Sequence, residues 1–235
     1  MRDSRTASAP DRCCDVGTLG RMTRPSQWYE TPDLHGEHVT LTQLHPRHAA
    51  GVLAASDDDS VFDWLSFHRP TSVAAGRTTV ETLMAQQQFI TWAQIDRASG
   101  EVAGTTSYYD VNPALRAVAI GGTWLGKRFQ RTGVNTDAKL LLLRRAFDDL
   151  GAVRVVWHTD IYNEQSQAAL ARLGATREGV LRKHKIRKDG SWRDTVQFSM
   201  TDDDWPEVRD ALAGRLSRRA RDSPCAIRDS PRAES

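Results

Sequence analysis

A mixed α/β domain of the α+β type, built on one mixed, mostly antiparallel sheet flanked by helices, is what this sequence predicts. Three observations carry that reading. Strand-like and helix-like stretches alternate between residues 38 and 214. Two strand pairs are joined by turns of only a few residues, Ser99-Gly100 and Lys188–Gly190, which makes them hairpins. Between two other strands lies a long apolar helix, which a parallel crossover requires. Hairpins mixed with crossover helices imply a mixed sheet.

Taken in order, "HVTLTQL" (38–44) alternates apolar and polar residues as a half-buried strand does. "HPRHAAGVLAAS" (45–56) reads as a helix with Pro46 in its first turn, and "VAAGRTTVETLMAQQQ" (73–88) as a second helix. "FITWAQID" (89–96) and "EVAGTTSYYDV" (101–111) form the first hairpin, and "RAVAIGGTWL" (116–125) is the next strand. The helix 136–150 stops at Gly151, and "VRVVWHTD" (153–160) is a β-branched strand. "NEQSQAALARLGA" (163–175) is a short helix closed by Gly174; "GVLRKHKIR" (179–187) and "DTVQFSM" (194–200) make the last hairpin. "DDDWPEVRDALAG" (202–214) closes the domain as a helix with acids at its N-terminus, where the dipole favours them.

Residues 31–214 therefore form the expected domain, with a disordered leader at 1–30 and a disordered Arg-rich tail at 215–235. Met22 is a candidate physiological start. The leader lacks the ~7–15-residue apolar core of a secretory signal, and no apolar run approaches the ~20 residues that cross a bilayer. Cys13, Cys14 and Cys225 show neither a disulfide framework nor metal-site spacing. Free thiols in a reducing cytosol, a cytoplasmic location and no metal are the expectations. A net charge of +2 is too small to point to nucleic acid or a membrane surface.

The most particular stretch is "LGKRFQRTGVNTDAKLLLLRRAF" (125–147), a basic glycine-containing loop running straight into an apolar helix. "GGTWLGKR" (121–128) comes near a P-loop, but Arg128 stands where the magnesium-binding hydroxyl is required, so that reading fails. A plain basic surface turn is one remaining reading. The other is an anion site. A helix N-terminus presents unpaired N–H groups, Gly133 permits close backbone approach, Asn135 or Thr136 can cap the helix, and Arg128 and Arg131 add charge.

"QRTGVNT" (130–136) after "AIGGTWL" resembles the Q/R-x-x-G-x-G/A loop of the GNAT acetyltransferases, which cradles the pyrophosphate of acetyl-CoA. "NEQSQAALARLGATREGVLR" (163–182) and "DGSWRDTVQFSM" (189–200) are similar to the later motifs of that family's RimL-type branch, whose members acetylate N-terminal or small-molecule amines. The resemblance spans roughly residues 37–210. Two departures stand out: Asn135 occupies a position usually held by Gly or Ala, and Leu170 replaces the tyrosine that many members use as general acid.

The resemblance implies acetyl-CoA as co-substrate and an amine acceptor, either a protein N-terminus or a small molecule. It places the CoA-binding residues at Thr123, Trp124, Leu125, Arg128, Arg131, Thr132, Gly133, Val134, Asn135, Thr136, Asn163 and Ser166. A backbone N–H near Trp124–Leu125 would hold the thioester oxygen, Asn163 the pantetheine arm, and Ser166 the departing sulfur. Strand 116–125 carries no carboxylate to serve as base, which leaves His184 as the main candidate and Asp110, Tyr108 and Tyr109 behind it. His158 reads as core, and His45 and His48 as surface residues. Within "SDDDSVFDWLSFHRP" (56–70) the acids could attract a cationic amine, although a helix cap followed by the anchors Phe62, Trp64 and Phe67 describes most of it. A homodimer is compatible with this reading. Two other classes remain open: a CoA-binding regulator without turnover, suggested by Leu170 and the missing base, and a ribosome- or RNA-docking protein using the basic tail.

Overall fold

The computed structural model describes residues 24–222. Its core is one eight-stranded sheet in the order β1-β2-β3-β4-β5-β6-β8-β7. The strands are β1 (Leu34–His35), β2 (Val39–Gln43), β3 (Phe89–Asp96), β4 (Val102–Asn112), β5 (Ala117–Leu125), β6 (Arg154–Asp160), β7 (Thr176–Ile186) and β8 (Trp192–Thr201). The helices are α1 (Ala49–Ala55), α2 (Val73–Ala85), α3 (Val134–Arg144), α4 (Glu164–Leu173) and α5 (Trp205–Asp222). Every neighbouring pair is antiparallel except β5 and β6, which are parallel and bridged by α3.

That parallel pair creates the opening in the sheet. β5 and β6 are in register only from Ala117↔Arg154 to Ala119↔Val156; beyond them the strands part. Residues 120–125 of β5 therefore keep β4 on one side and have no strand on the other. Both strands run into helices at this end, so the first turns of α3 and α4 flank the divergence. A crevice at the carboxyl ends of parallel strands is a recurrent ligand site in α/β sheets.

Successive strand residues face opposite sides, and Tyr108 and Tyr109 show what each side does. Tyr108 donates its hydroxyl to the Leu142 carbonyl of α3 in the packed core. The Tyr109 ring instead lies across Gly121 of β5 towards β6; a Cβ on Gly121 would stand 2.6 Å from that ring. Helix α3 is held to β2 by Asp137, only 2% exposed, whose Oδ2 accepts the His38 N–H at 2.6 Å and the Val39 N–H at 3.1 Å. Leu140, Leu141, Leu142 and Leu143 are all buried in the core. The helix widens into a π turn over Arg145–Asp149 before it ends.

Several expected boundaries move. The leader called disordered to residue 30 contains a 3-10 helix at Pro25–Tyr29, because Trp28 is buried in the core and Arg145 Nη2 donates to the Gln27 carbonyl at 2.9 Å. The tail expected from 215 begins inside α5, which continues to Asp222 with Leu212 and Leu216 buried. Met22, the three cysteines and the remainder of the leader and tail lie outside the described residues. No described helix is long and apolar enough to cross a membrane.

Candidate active site

Gly133 is the N-cap of α3, and no side chain caps the helix from that position. Asn135 and Thr136 are thus already helical and do not cap it, contrary to expectation. Thr132 partly fills the gap: its hydroxyl donates to the Phe129 carbonyl at 2.6 Å and accepts the Val134 N–H at 3.3 Å. No side chain satisfies the turn from the N-cap position, so the positive end of the helix dipole stays open to an anion. The left-handed residue of this loop is Arg131, at φ 61, and Asn135 has no need of that conformation. Holding a non-glycine residue there costs on the order of 1 kcal/mol, which points to a loop shape under constraint.

Gly133 itself sits at an ordinary φ of −70. Its missing side chain makes room for His38, whose ring would meet an added Cβ at 2.3 Å. The expected close approach is therefore made by this chain's own histidine. Arg128 also turns out to be tied up: Nη1 reaches the Ala54 carbonyl at 3.2 Å and Nη2 reaches Glu101 at 3.3 Å. Together with His38, Asp96, Thr132 and Gly133 it lines a cavity of about 340 Å³ beside the first turn of α3. Two carboxylates, Asp96 and Glu101, share that lining, which disfavours a phosphate there.

On β5 the Thr123 hydroxyl faces α3, at 2.8 Å from the Thr106 hydroxyl and 3.3 Å from Lys139 Nζ, so only its backbone is available to the crevice. Burial pushes the Lys139 ammonium down to about 8. The Trp124 carbonyl accepts from Gln94 Nε2 at 3.2 Å, and the Gly126 N–H donates to Ala103 at 2.9 Å. Both residues therefore direct their peptides towards β4. Alternation leaves the intervening Leu125 N–H pointing to the divergent side. Of the expected Trp124–Leu125 pair, Leu125 supplies the free donor, while the Trp124 ring packs on Phe62 at 5.3 Å.

Across the divergence, Asn163 caps α4 by accepting the Ser166 N–H on Oδ1 at 3.0 Å. The Ser166 hydroxyl has no hydrogen bond among the described residues. Leu170, where a tyrosine acid could have stood, is buried in the core.

Where β5 and β6 part, a network absent from the sequence reading crosses four strands. Glu178 on β7 accepts from Arg154 at 2.7 and 2.5 Å, from Gln197 Nε2 at 2.7 Å and from Ser199 at 2.8 Å. Those donors, Arg154 first, hold its carboxyl down at about 2. With its amide nitrogen committed to Glu178, Gln197 offers Oε1 to His158 Nε2 at 3.1 Å. His158 must then carry its proton on Nε2 and accept the Tyr109 O–H on Nδ1, at 2.8 Å. His158 is half-buried beside the crevice, and burial above all keeps it neutral. The His184 ring lies 5.2 Å from that of His158. His184 is exposed, and its ring nitrogens have no hydrogen bond among the described residues. Burial, then Lys185 and Arg193, lower its pKa from the ordinary histidine value.

Other expected candidates are placed elsewhere. Tyr108 faces the core and Asp110 is exposed at the edge of this cluster. His48 is buried, and with His45 it shapes a turn, the two Nδ1 atoms accepting backbone N–H groups at 3.1 and 3.2 Å. Three of the four acids of 56–70 are spent locally, Asp57 on the Lys127 and Arg128 N–H groups, Asp58 on Ser60 and Asp59 on Arg69, while Asp63 is exposed. They do not form an acidic rim. No group of three or more His, Cys, Asp or Glu that could hold a metal occurs among the described residues.

Known proteins are similar to this chain in sequence and fold. The model of the acetyltransferase (GNAT) domain matches residues 38–176. YdaF of Bacillus subtilis (strain 168), provisionally named a ribosomal N-acetyltransferase, is 27% identical over 175 residues, 72% of this chain and 94% of its own. A GCN5-related N-acetyltransferase from Brucella melitensis superposes with a TM-score of 0.76 at 31% identity, over 80% of this chain and 86% of its own. Mycobacterium smegmatis RimJ, solved in complex with CoA-disulfide, has a TM-score of 0.66 at 21% identity, over 82% of this chain and 97% of its own, and so shares the fold. The family match over 38–176, on the divergent strands and the uncapped helix described above, is decisive: the chain belongs to the GNAT acetyltransferase family.

Proposed function

We propose that this protein transfers the acetyl group of acetyl-CoA to a primary amine by direct attack on the thioester. The observation that carries the reading is the pairing of an uncapped α3 N-terminus with the opening between β5 and β6. The first suits a diphosphate, and the second leaves strand peptides free for an extended arm.

In this reading the loop at Arg131–Thr136 holds the diphosphate through backbone N–H groups, and Asn163 and the edge of β5 align the arm. The Leu125 N–H donates to the thioester oxygen as negative charge develops there. The amine nitrogen forms its bond to the acyl carbon while His184 accepts the amine proton. The C–S bond then breaks, and the sulfur takes a proton from the Ser166 hydroxyl, which water replenishes. His184 is the better base of the two neighbouring histidines because its nitrogens are free, whereas both nitrogens of His158 are engaged. The network from Glu178 to Tyr109 forms the wall against which the amine is presented.

The test is acetyl-CoA turnover, followed as thiol release with an amine panel and confirmed by mass spectrometry of the acetylated product. Ser166→Ala should lower kcat about tenfold or less, since water can protonate a thiolate, with acetyl-CoA binding retained. CoA binding without amine-dependent turnover on any peptide or small amine would favour a non-catalytic CoA-binding protein.

A further inference from the structure

We propose that Lys185 and Arg193 form an anion subsite in the acceptor cleft, so that the amine acetylated carries a carboxylate close to its nitrogen. The proposal rests on the acetyltransferase reading above and names the acceptor class.

Arg193 is the starting point. Its side chain is only 17% exposed, yet its guanidinium makes no hydrogen bond among the described residues, and Nε is buried without a partner. Its one acidic neighbour, Asp160, stays 3.8 Å away. Asp160 is already committed: Arg187 takes Oδ2 at 2.7 Å and Oδ1 at 3.0 Å, and the Tyr162 N–H takes Oδ1 at 3.0 Å. Burying the Arg193 Nε–H without an acceptor carries a desolvation penalty, and a bound anion removes it.

Lys185 stands directly opposite Arg193 in the β7–β8 register. Like charges so placed repel one another, and no acid lies within ion-pair distance of Lys185 among the described residues. Its ammonium lies 5.2 Å from the centre of the Tyr109 ring, the same ring whose hydroxyl reaches His158 at the parting of β5 and β6. Lys185 keeps an exposed surface, yet desolvation by its neighbours lowers it from the ordinary lysine value and Arg193 lowers it further, and burial lowers Arg193. The groups facing the pair are Tyr109, Asp110, His158, His184, Asp160 and Arg187. Asp160 is held by Arg187, so a carboxylate entering between Lys185 and Arg193 meets two cations that hydrogen-bond no acid among the described residues.

The placement also suits the chemistry. In an amino acid the carboxylate carbon is two bonds from the amine nitrogen, so an anion held beside Tyr109 brings the amine towards His184. Cations nearby disfavour a bound ammonium, which helps the amine shed its proton, and they repel polycationic amines.

The experiment compares free L-amino acids with the matching amino-acid amides as acceptors, for the native protein, Arg193→Gln and Lys185→Gln. The acids should be favoured about tenfold or more in kcat/KM. Arg193→Gln should erase that preference to within about twofold and leave the KM for acetyl-CoA unchanged. Amides used as well as acids by the native protein would overturn the proposal. A second arm does not depend on turnover: the Arg193 Nε–Hε NMR signal of the CoA-loaded protein is followed during titration with acetate and with acetamide. A saturable shift with acetate alone is expected, and no acetate-dependent shift would overturn the subsite whatever the panel gives. Calorimetry with acetyl-CoA on the same samples separates the two readings, because its failure removes the acetyltransferase and not the anion site.

Discussion

We propose His184 as the base because its ring is unencumbered and its surroundings keep it neutral at pH 7. Its pKa lies below the ordinary 6.5, owing to burial first and then to Lys185 and Arg193. It is therefore ready to accept a proton at neutral pH and loses that ability only as the solution becomes more acidic than 6.5. The kcat/KM profile should show an acid limb below that value, apart from the ionisation of the acceptor, which for an α-amine lies near ~8. Lys185→Gln should move the acid limb upwards, and His184→Ala should abolish it while lowering kcat/KM about 10²–10⁴-fold. An unchanged acid limb in His184→Ala would assign the proton to another group. Residue by residue, the sequence offered His184, Ser166 and the 130–136 loop as candidates, since each lies in or beside a local pattern. It hid Arg193, which reads as an ordinary charge beside a turn. It also hid the role of His158, because Tyr109, His158 and Gln197 meet only once β4, β6 and β8 are assembled.

Elements carry a different set of consequences. Asp137 joins the first turn of α3 to the start of β2 through two charge-assisted hydrogen bonds in a buried place. Asp137→Ala leaves two backbone N–H groups without a partner and should destabilise the protein by about 2–4 kcal/mol, read from denaturant midpoints. A loss below about 0.5 kcal/mol would mean that water replaces the carboxylate without penalty. The Glu178 network makes a pH-dependent prediction. Its carboxyl lies near 2 in the fold against an ordinary 4.5, so its contribution is complete above 4.5 and fades as the pH falls towards 2. Glu178→Gln should lower the melting temperature at pH 7, and the difference from native should narrow as the pH is lowered through 4 and 3. A constant difference would show that the carboxylate's charge is not what matters. Element boundaries were legible where periodicity was strong. β3 falls at Phe89–Asp96, as its pattern requires. β1 escaped notice because two residues make no pattern, and β7 starts at Thr176 because its N-terminal residues pair with β8 despite a loop-like composition. Helix α5 outruns its expected end because Leu216 supplies another apolar contact among the arginines.

For the molecule as a whole, the fold follows from one exception in an otherwise antiparallel sheet. The parallel β5–β6 pair needs the α3 crossover, the crossover brings a helix N-terminus to the crevice, and the strands part beyond Ala119 and Val156. The sequence announced this through two motifs lying on matching elements in matching order. Acceptor chemistry was less legible: the acids of 56–70 could attract a cationic amine or serve mainly as a helix cap, and the fold shows Asp57, Asp58 and Asp59 bonded to their own neighbours. The most direct test of the central claim is a calorimetric titration of the purified protein with acetyl-CoA, repeated with CoA and with ATP at moderate salt. Saturable binding of acetyl-CoA and CoA, with ATP at least about tenfold weaker, is the predicted result, since the pantetheine arm adds contacts along β5 that ATP lacks. Equal binding of ATP, or no binding of acetyl-CoA to the folded protein, would contradict it.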